Sequence, residues 1–309
     1  MDILKLPKSI EEFMYSLDKK LMKKFDKEKD SFLEYLRSIG LTPVDDNPET
    51  DYPLTQSFSS PHGLFIANER LKKYGLNVND LYKRNSLRYR CDEFTDKHEG
   101  KHVLFAGCSV TYGDSLPEEF IWPRIIYDKI ASQEATSGYF NLGKPGGSPI
   151  DILNGIIEYI DRYGMPDVVF ILFPDKIRDV TQFDALDNEF LEHKIHMTTV
   201  YMYRLLRDLL RANGKQIFST SWSEEAALTL DKERQKAFYY PLALEDSFVQ
   251  FVHEDLVGYI YNFDDLNKSH PFRDLIMKAG DLAHPGIAEH EFYATLLYNS
   301  YYEKTNSEH

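Results

Sequence analysis

Cysteine is scarce in this chain: there are two in 309 residues, Cys91 and Cys108. Two thiols cannot build a disulfide framework, and neither is paired with histidine at a zinc-finger spacing, so a reducing compartment is the simpler setting. Basic residues are also in deficit, 36 Lys and Arg against 50 Asp and Glu, giving a formal charge of −14 at pH 7. The basic cluster from Lys19 to Lys29 is diluted by Asp18, Asp26, Glu28 and Asp30. That balance argues against nucleic acid or an anionic membrane as a partner. Long hydrophobic runs are missing as well. No stretch approaches the roughly 18 apolar residues that a membrane helix needs, and the opening MDILKLPKSIEEF lacks the apolar core of a secretory leader. A cytoplasmic location is therefore expected. Internal repeats and low-complexity tracts are absent too.

The chain is rich in aromatics, with 21 Tyr and 20 Phe. Such wealth can line a groove for flat ligands, but packing in the core and at interfaces is the default reading. Ser9-Ile10-Glu11-Glu12 has capping-box spacing, and Ile10, Phe13, Met14, Leu17, Leu21 and Phe25 follow at helical intervals. One amphipathic helix is predicted there, and a second from Asp30 to Ile39, stopping at Gly40. The turn formers from Pro43 to Pro61 predict an irregular segment. These N-terminal helices would pack on the main domain or on a second copy.

From about residue 100 the pattern becomes short apolar runs alternating with helical stretches, the mark of an α/β fold with a central parallel sheet between helical layers. Strands are predicted at His102–Ala106, Phe140–Leu142, Val168–Phe173 and Gln216–Thr220, with a fifth within Phe248–Tyr261. Helices are predicted at Ile121–Ala131, Ile150–Arg162, Met197–Ala212 and Ile287–Tyr302. In such a sheet, chemistry belongs beyond the carboxyl ends of the strands. The expected division is residues 1–84 as a helical and irregular extension and 85–309 as the main domain.

Directly after the first run lies Gly107-Cys108-Ser109-Val110-Thr111-Tyr112-Gly113, which puts Ser109 on a tight strand-to-helix turn. A hydroxyl there projects into the crevice, and its own N–H can face a developing oxyanion. Serine needs a base, and the far end of the chain offers one in Asp281-Leu282-Ala283-His284-Pro285-Gly286. An Asp three residues before a His on a turn can accept the imidazole Nδ1–H and leave Nε2 for a nucleophile. Alone, the serine reads as a turn residue, His-Pro-Gly as a surface loop and Asp281 as a helix cap. Together they are far more specific.

G-x-S-x-T-x-G after a first strand, Asn141-Leu-Gly-Lys-Pro-Gly146 after a second and D-x-x-H-P before a last helix together resemble the SGNH (GDSL-like) hydrolases over residues 85 to 305. The resemblance implies a three-layer αβα sandwich of flavodoxin-like type. It implies Ser109 as nucleophile, His284 and Asp281 as its base pair, and Ser109 and Gly146 as oxyanion donors, with no cofactor. Asn85-Ser-Leu-Arg-Tyr-Arg90 is similar to the N-x-x-G-(F/Y)-R lead-in of members acting on carbohydrate O-acetyl groups, with Arg88 in place of glycine. The expected substrate is a short acyl ester, such as O-acetyl on a saccharide.

Two departures stand out. Cys108 replaces the acidic residue beside the nucleophile, as in phage-encoded G-C-S variants, which makes an infected host cell or a virion an alternative setting. Asp175 aligns with the Asn that normally completes the oxyanion hole, and a carboxylate cannot donate unless protonated. Losing one donor typically costs about 2.7–4 kcal/mol of transition-state stabilisation. Lys176 or Arg178 would have to replace it, and Trp222 with Tyr239-Tyr240 would form either a sugar-facing wall or core. The rival readings are a weak or inactive SGNH-fold binding or structural protein of a phage particle, and an O-acyltransferase using the same triad.

Three further features are set aside. Gly113-Asp114-Ser115-Leu116 spells GDSL but follows no strand, so Ser115 reads as a turn or cap residue. His193, His196 and His290 lack the convergent companions of a metal site, so no metal is expected. The glycines between Gly143 and Gly147 lack the Lys-Ser/Thr of a phosphate-binding loop.

Overall fold

Four apolar runs of the sequence become four parallel strands. The computed structural model describes residues 10–39, 41, 61–174, 178, 189–221, 271–276 and 278–307. In chain order these form helix α1 (Ile10–Ser38), α2 (Pro61–Leu71), α3 (Val78–Leu81), β1 (Lys101–Gly107), α4 (Ser109–Tyr112), α5 (Trp122–Ala131), β2 (Thr136–Gly143), α6 (Pro149–Tyr163), β3 (Val168–Phe173), α7 (Glu189–Ala212), β4 (Gln216–Ser221) and α8 (Ile287–Ser307). The strand order is β2-β1-β3-β4, parallel throughout. The chain moves from β1 outward to β2 and then crosses back over β1 to β3. The crevice at this reversal lies between the carboxyl ends of β1 and β3, where doubly wound sheets bind ligands.

Both faces of the sheet are covered, which explains why the central strands β1 and β3 are continuously apolar rather than alternating. Val103 and Phe105 of β1 pack with Phe170, Leu172 and Phe218 against Trp122 and Ile126 of α5 and Tyr293 and Leu297 of α8. Leu104 and Ala106 point the other way, with Val169, Ile171 and Ile217, onto Ile152, Leu153 and Ile156 of α6 and onto Tyr203 and Leu206 of α7. The protein is thus α/β, with helices on both sides of a parallel sheet.

A third core joins the N-terminal segment to the carboxyl end of the sheet. Phe25, Phe32 and Leu36 of α1 and Phe65 and Leu71 of α2 share it with Tyr112, Leu116, Ile121, Leu275 and Ile287. The rings of Phe25 and Phe32 lie 5.3 and 5.1 Å from that of Phe65.

Several boundaries differ from expectation. The two N-terminal helices are one helix of 29 residues. Asp26-Lys-Glu-Lys-Asp30 holds no Gly or Pro, and its charges face solvent while Phe25, Phe32 and Leu36 keep to one buried face, so polarity there marks a surface and not a break. Strand β2 begins at Thr136, four residues before the expected start, because its half-buried Thr136-Ser137-Gly138 entry carries no apolar signal. Helix α7 starts at Glu189 rather than Met197, and α2 and α3 were not foreseen. Ser9, Gly40, the bulk of Pro43–Pro61, and Phe248–Tyr261 lie outside the described residues.

The lead-in Asn85–Arg90 closes a turn in which Asn85 Oδ1 accepts from the N–H groups of Leu87 (3.1 Å) and Tyr89 (2.9 Å). Arg88 takes φ 67° there. This left-handed conformation costs an L-residue roughly 1–2 kcal/mol, and glycine loses about 0.5–1 kcal/mol more entropy on folding. Arg88→Gly is therefore expected to raise stability by about 0.5–1 kcal/mol in denaturant titrations. A lower unfolding midpoint would refute the assignment of strain to this position.

Candidate active site

Ser109 is placed by the end of β1. The strand runs to Gly107, Cys108 caps the one-turn helix α4, and Ser109 is its first residue, 5% exposed. A Cβ at Gly107 would lie 1.9 Å from Thr111 Oγ1, so only glycine lets the helix fold back this tightly onto the strand. Asn141, near the end of β2, braces the same turn: its Nδ2 donates to Thr111 O at 3.0 Å, and its Oδ1 accepts Gly143 N–H at 2.8 Å. The buried Arg90 guanidinium donates to the carbonyls of Tyr112 (3.2 Å), Gly113 (2.6 Å) and Leu116 (2.6 Å).

The histidine loop is fixed as firmly. Lys278 and Pro285 form an antiparallel bridge, and Ala279 N–H donates to His284 O at 3.0 Å, pinching residues 278–285 into a tight turn. Within it, Asp281 Oδ1 accepts the N–H groups of Ala283 and His284, each at 3.1 Å, and Oδ2 lies 2.6 Å from His284 Nδ1. The expected Asp281–His284 pair is therefore present with hydrogen-bond geometry.

Two contacts bring this loop to the serine turn. Gly280 N–H donates to Ser115 O at 2.8 Å. His284 Nε2 lies 4.0 Å from Asp114 Oδ2, and Asp114 N–H donates to Ser109 O at 3.1 Å. Among the described residues, no hydrogen bond joins Ser109 Oγ to Nε2.

Burial works against charge on His284, but the hydrogen bond and charge of Asp281, with Asp114 adding to them, raise its pKa above the ordinary histidine value; Arg178 pulls the other way. Burial would raise the Asp281 carboxyl, yet the hydrogen bond and charge of His284 and two backbone donors hold it below its usual range.

The other expected residues are scattered in role. Gly146 occupies the third position of a turn over Lys144–Gly147, closed by Gly147 N–H to Lys144 O at 2.9 Å, with φ 73° following Pro145. This is the type II arrangement, and it sets Gly146 at an exposed tip beyond β2. Arg178 is half-buried and close enough for its charge to act on His284. Asp175, Lys176, Trp222, Tyr239 and Tyr240 lie outside the described residues. Ser115 is fully buried at φ 60°, bonded through its backbone to Tyr82 and Gly280. His290 is buried, accepts Trp122 N–H through Nδ1 at 3.1 Å, and is pulled down by burial to a pKa of about 3. It is a neutral structural acceptor. The side chains of His193 and His196 are outside the described set; among the described residues no three His, Cys, Asp or Glu gather for a metal.

No protein-family model, no curated protein and no solved structure matches the chain.

Three residues escaped the sequence reading. Arg70 of α2, 6% exposed, donates to the carbonyls of Asp274, Ala279 and Gly280 and so grips the histidine loop. Tyr82 donates to Asp114 Oδ1 at 3.1 Å and accepts Ser115 N–H at 3.0 Å. Asp114 itself, 2% exposed, sits inside the literal GDSL tetrad, where attention to Ser115 hid its neighbour.

The Asp281–His284 pair has a defined pH signature. The lowered Asp281 pKa gives stability that is present above about pH 3.9 and is lost as pH falls through the folded value. The raised His284 pKa gives stability that is full below about pH 6.5 and is lost as pH rises through the folded value. The pair should therefore stabilise most between about pH 4 and 6.5. The Tm of the unaltered protein minus that of Asp281→Asn, followed across pH, should peak in this window. A flat difference would show that the pair is not coupled.

Proposed function

We propose that the chain is a serine esterase of the SGNH type, acting on a short acyl ester. The observation that carries this reading is the 2.6 Å Asp281–His284 contact on a loop hydrogen-bonded to the turn that bears Ser109. The strand order and the position of Ser109 after β1, at the reversal of the sheet, agree with it.

In the proposed reaction Ser109 Oγ attacks the acyl carbonyl while His284 Nε2 takes the hydroxyl proton. Asp281 holds the imidazole in the tautomer that leaves Nε2 open and stabilises the imidazolium that forms. The tetrahedral oxyanion collapses, the C–O bond to the alcohol breaks, and His284 returns the proton to the leaving oxygen. Water then attacks the acyl-enzyme, giving a proton to the same nitrogen; the acyl C–Oγ bond breaks, His284 returns that proton to Ser109 Oγ, and the acid leaves. The Ser109 and Gly146 N–H groups are the proposed oxyanion donors, and Gly143 N–H is already committed to Asn141 Oδ1. Arg178 is the proposed cationic substitute for the missing Asn side chain. Acetyl on a saccharide is the proposed substrate, from resemblance, and transfer to a second alcohol would use the same steps.

A second reading, an SGNH-fold protein that binds without turnover, is favoured by one observation: among the described residues Nε2 faces the carboxylate of Asp114, with no hydrogen bond to Ser109. A fluorophosphonate probe separates the two. Labelling is expected for the unaltered protein and for Ser115→Ala and should vanish in Ser109→Ala, whose hydrolysis of p-nitrophenyl acetate should fall by about 10⁴-fold or more, as should that of His284→Ala. No labelling of a folded, unaltered protein would favour the second reading.

A further inference from the structure

We propose that Asp114 is a positioning residue for His284: its buried carboxylate, 4.0 Å from Nε2 and fixed by Tyr82, holds the imidazolium from the side opposite Asp281 and sets the pH above which the histidine can act as a base. The inference deepens the esterase reading and rests on it for its kinetic arm alone.

The geometry is specific. Asp114 is 2% exposed and follows helix α4 directly, with its N–H tied to Ser109 O and its Oδ1 accepting from Tyr82. Its carboxylate therefore has little freedom to swing away. At 4.0 Å, Oδ2 is beyond hydrogen-bond reach of Nε2, so it does not occupy the nitrogen that must take a proton from Ser109. It is nonetheless well inside the 4–6 Å range at which an opposite charge favours the protonated form. Asp281 acts on Nδ1 and Asp114 on Nε2, so the imidazole sits between two buried acids.

Other charged groups lie near the ring among the described residues. Arg178, beyond β3, opposes the imidazolium. His290 of α8 is neutral over the working range, its pKa driven down by burial to about 3. Arg70 of α2 faces Asp281, and Arg90 stacks on Tyr82 with its charged carbon 5.4 Å from the ring centre. Among the described residues neither arginine hydrogen-bonds the imidazole, and both donate through their terminal nitrogens to backbone carbonyls. Asp114 is thus the acid on the Nε2 side among the described residues. The raised pKa of His284, to which Asp114 contributes after Asp281, agrees with this arrangement.

The test follows the His284 imidazole by NMR on the full chain, with its signal assigned by its loss in His284→Gln. In Asp114→Asn, which keeps an acceptor for Tyr82, the imidazole should titrate lower by about one unit or more. The acid limb of kcat/KM should move down with it. Asp114→Ala, which gives up the Tyr82 hydrogen bond as well, should shift the titration by a similar amount, because charge and not packing is the cause. An unchanged titration in folded Asp114→Asn, or a shift confined to Asp114→Ala, would overturn the proposal. So would an unaltered protein whose His284 titrates at or below the ordinary histidine range, a measurement that needs no variant at position 114. If the titration shifts as expected while the fluorophosphonate probe leaves Ser109 unlabelled, the role of Asp114 stands and the esterase reading falls.

Discussion

Among the described residues a single backbone hydrogen bond, from Gly280 N–H to Ser115 O, joins the two halves of the candidate site, which lie at opposite ends of the main sheet region in sequence. One backbone bond adds only about 0.5–1.5 kcal/mol. It needs partners that make both of its ends rigid, and the structure supplies one on each side. Arg90 grips the serine turn through three carbonyls, and Arg70 grips the histidine loop through those of Ala279 and Gly280 while also bonding Asp274 O ahead of the loop. A guanidinium has five donors in a planar fork, which suits it to gathering several carbonyls at once in a way that lysine cannot. Burial lowers the Arg70 pKa to about 10, still leaving it charged at neutral pH, with its donors matched to backbone dipoles.

This arrangement makes the segment before residue 85 part of the site's support. Arg70 comes from α2, and Tyr82 from the end of α3; the aromatic rings of α1 pack beneath them on Phe65. Their shared core includes Tyr112, Leu116 and Ala279, residues of the two turns themselves. An extended N-terminal segment thus does for this sheet what loop packing does elsewhere: it turns two surface turns into a partly buried, preorganised pair. The buried Arg70 and Arg90 guanidiniums are tolerable here because each donates to three backbone carbonyls, and losing one such bond would cost about 1–3 kcal/mol.

The sequence made the sheet legible because the central strands β1 and β3 are covered on both faces and read as nearly unbroken apolar runs, while β4, at one edge, shows only Ile217-Phe218 before Ser219-Thr220-Ser221. Edge strand β2 was legible only at Phe140–Leu142, since its entry is half exposed and polar. Helix α1 reads as two helices from hydrophobic spacing alone because the charged stretch Asp26–Asp30 interrupts the apolar positions. At the site, Ser109, Asp281 and His284 could be named because their local turns are encoded within a few residues. Arg70, Tyr82 and Asp114 could not, because their roles arise from contacts spanning 32 to 210 residues of sequence separation. An arginine in Asn68-Glu-Arg-Leu71 looks like any solvent-facing helix residue until the carbonyls it serves are in view. The φ of 67° at Arg88 is the counter-case: the lead-in resemblance marked a glycine position, and the backbone there has the conformation glycine favours.

The electrostatic balance of the site follows from the same contacts. Proton transfer from Ser109 to His284 creates a cation on the imidazole and, in the proposed reaction, an anion on the acyl oxygen. Two buried acids beside the ring favour the first charge and disfavour the second, so their net effect depends on which new charge lies nearer to each. Asp281, at 2.6 Å from Nδ1 on the far side of the ring, favours the cation with little effect on the anion. Asp114, 4.0 Å from Nε2 and tied to Ser109 through the backbone, lies close to both. Cys108 adds no carboxylate beside Ser109, so the acidic load of this turn rests on Asp114. In the proposed reaction a positive counterweight on the acyl side would offset this load, the role proposed for Arg178, whose charge acts on His284 from beyond β3.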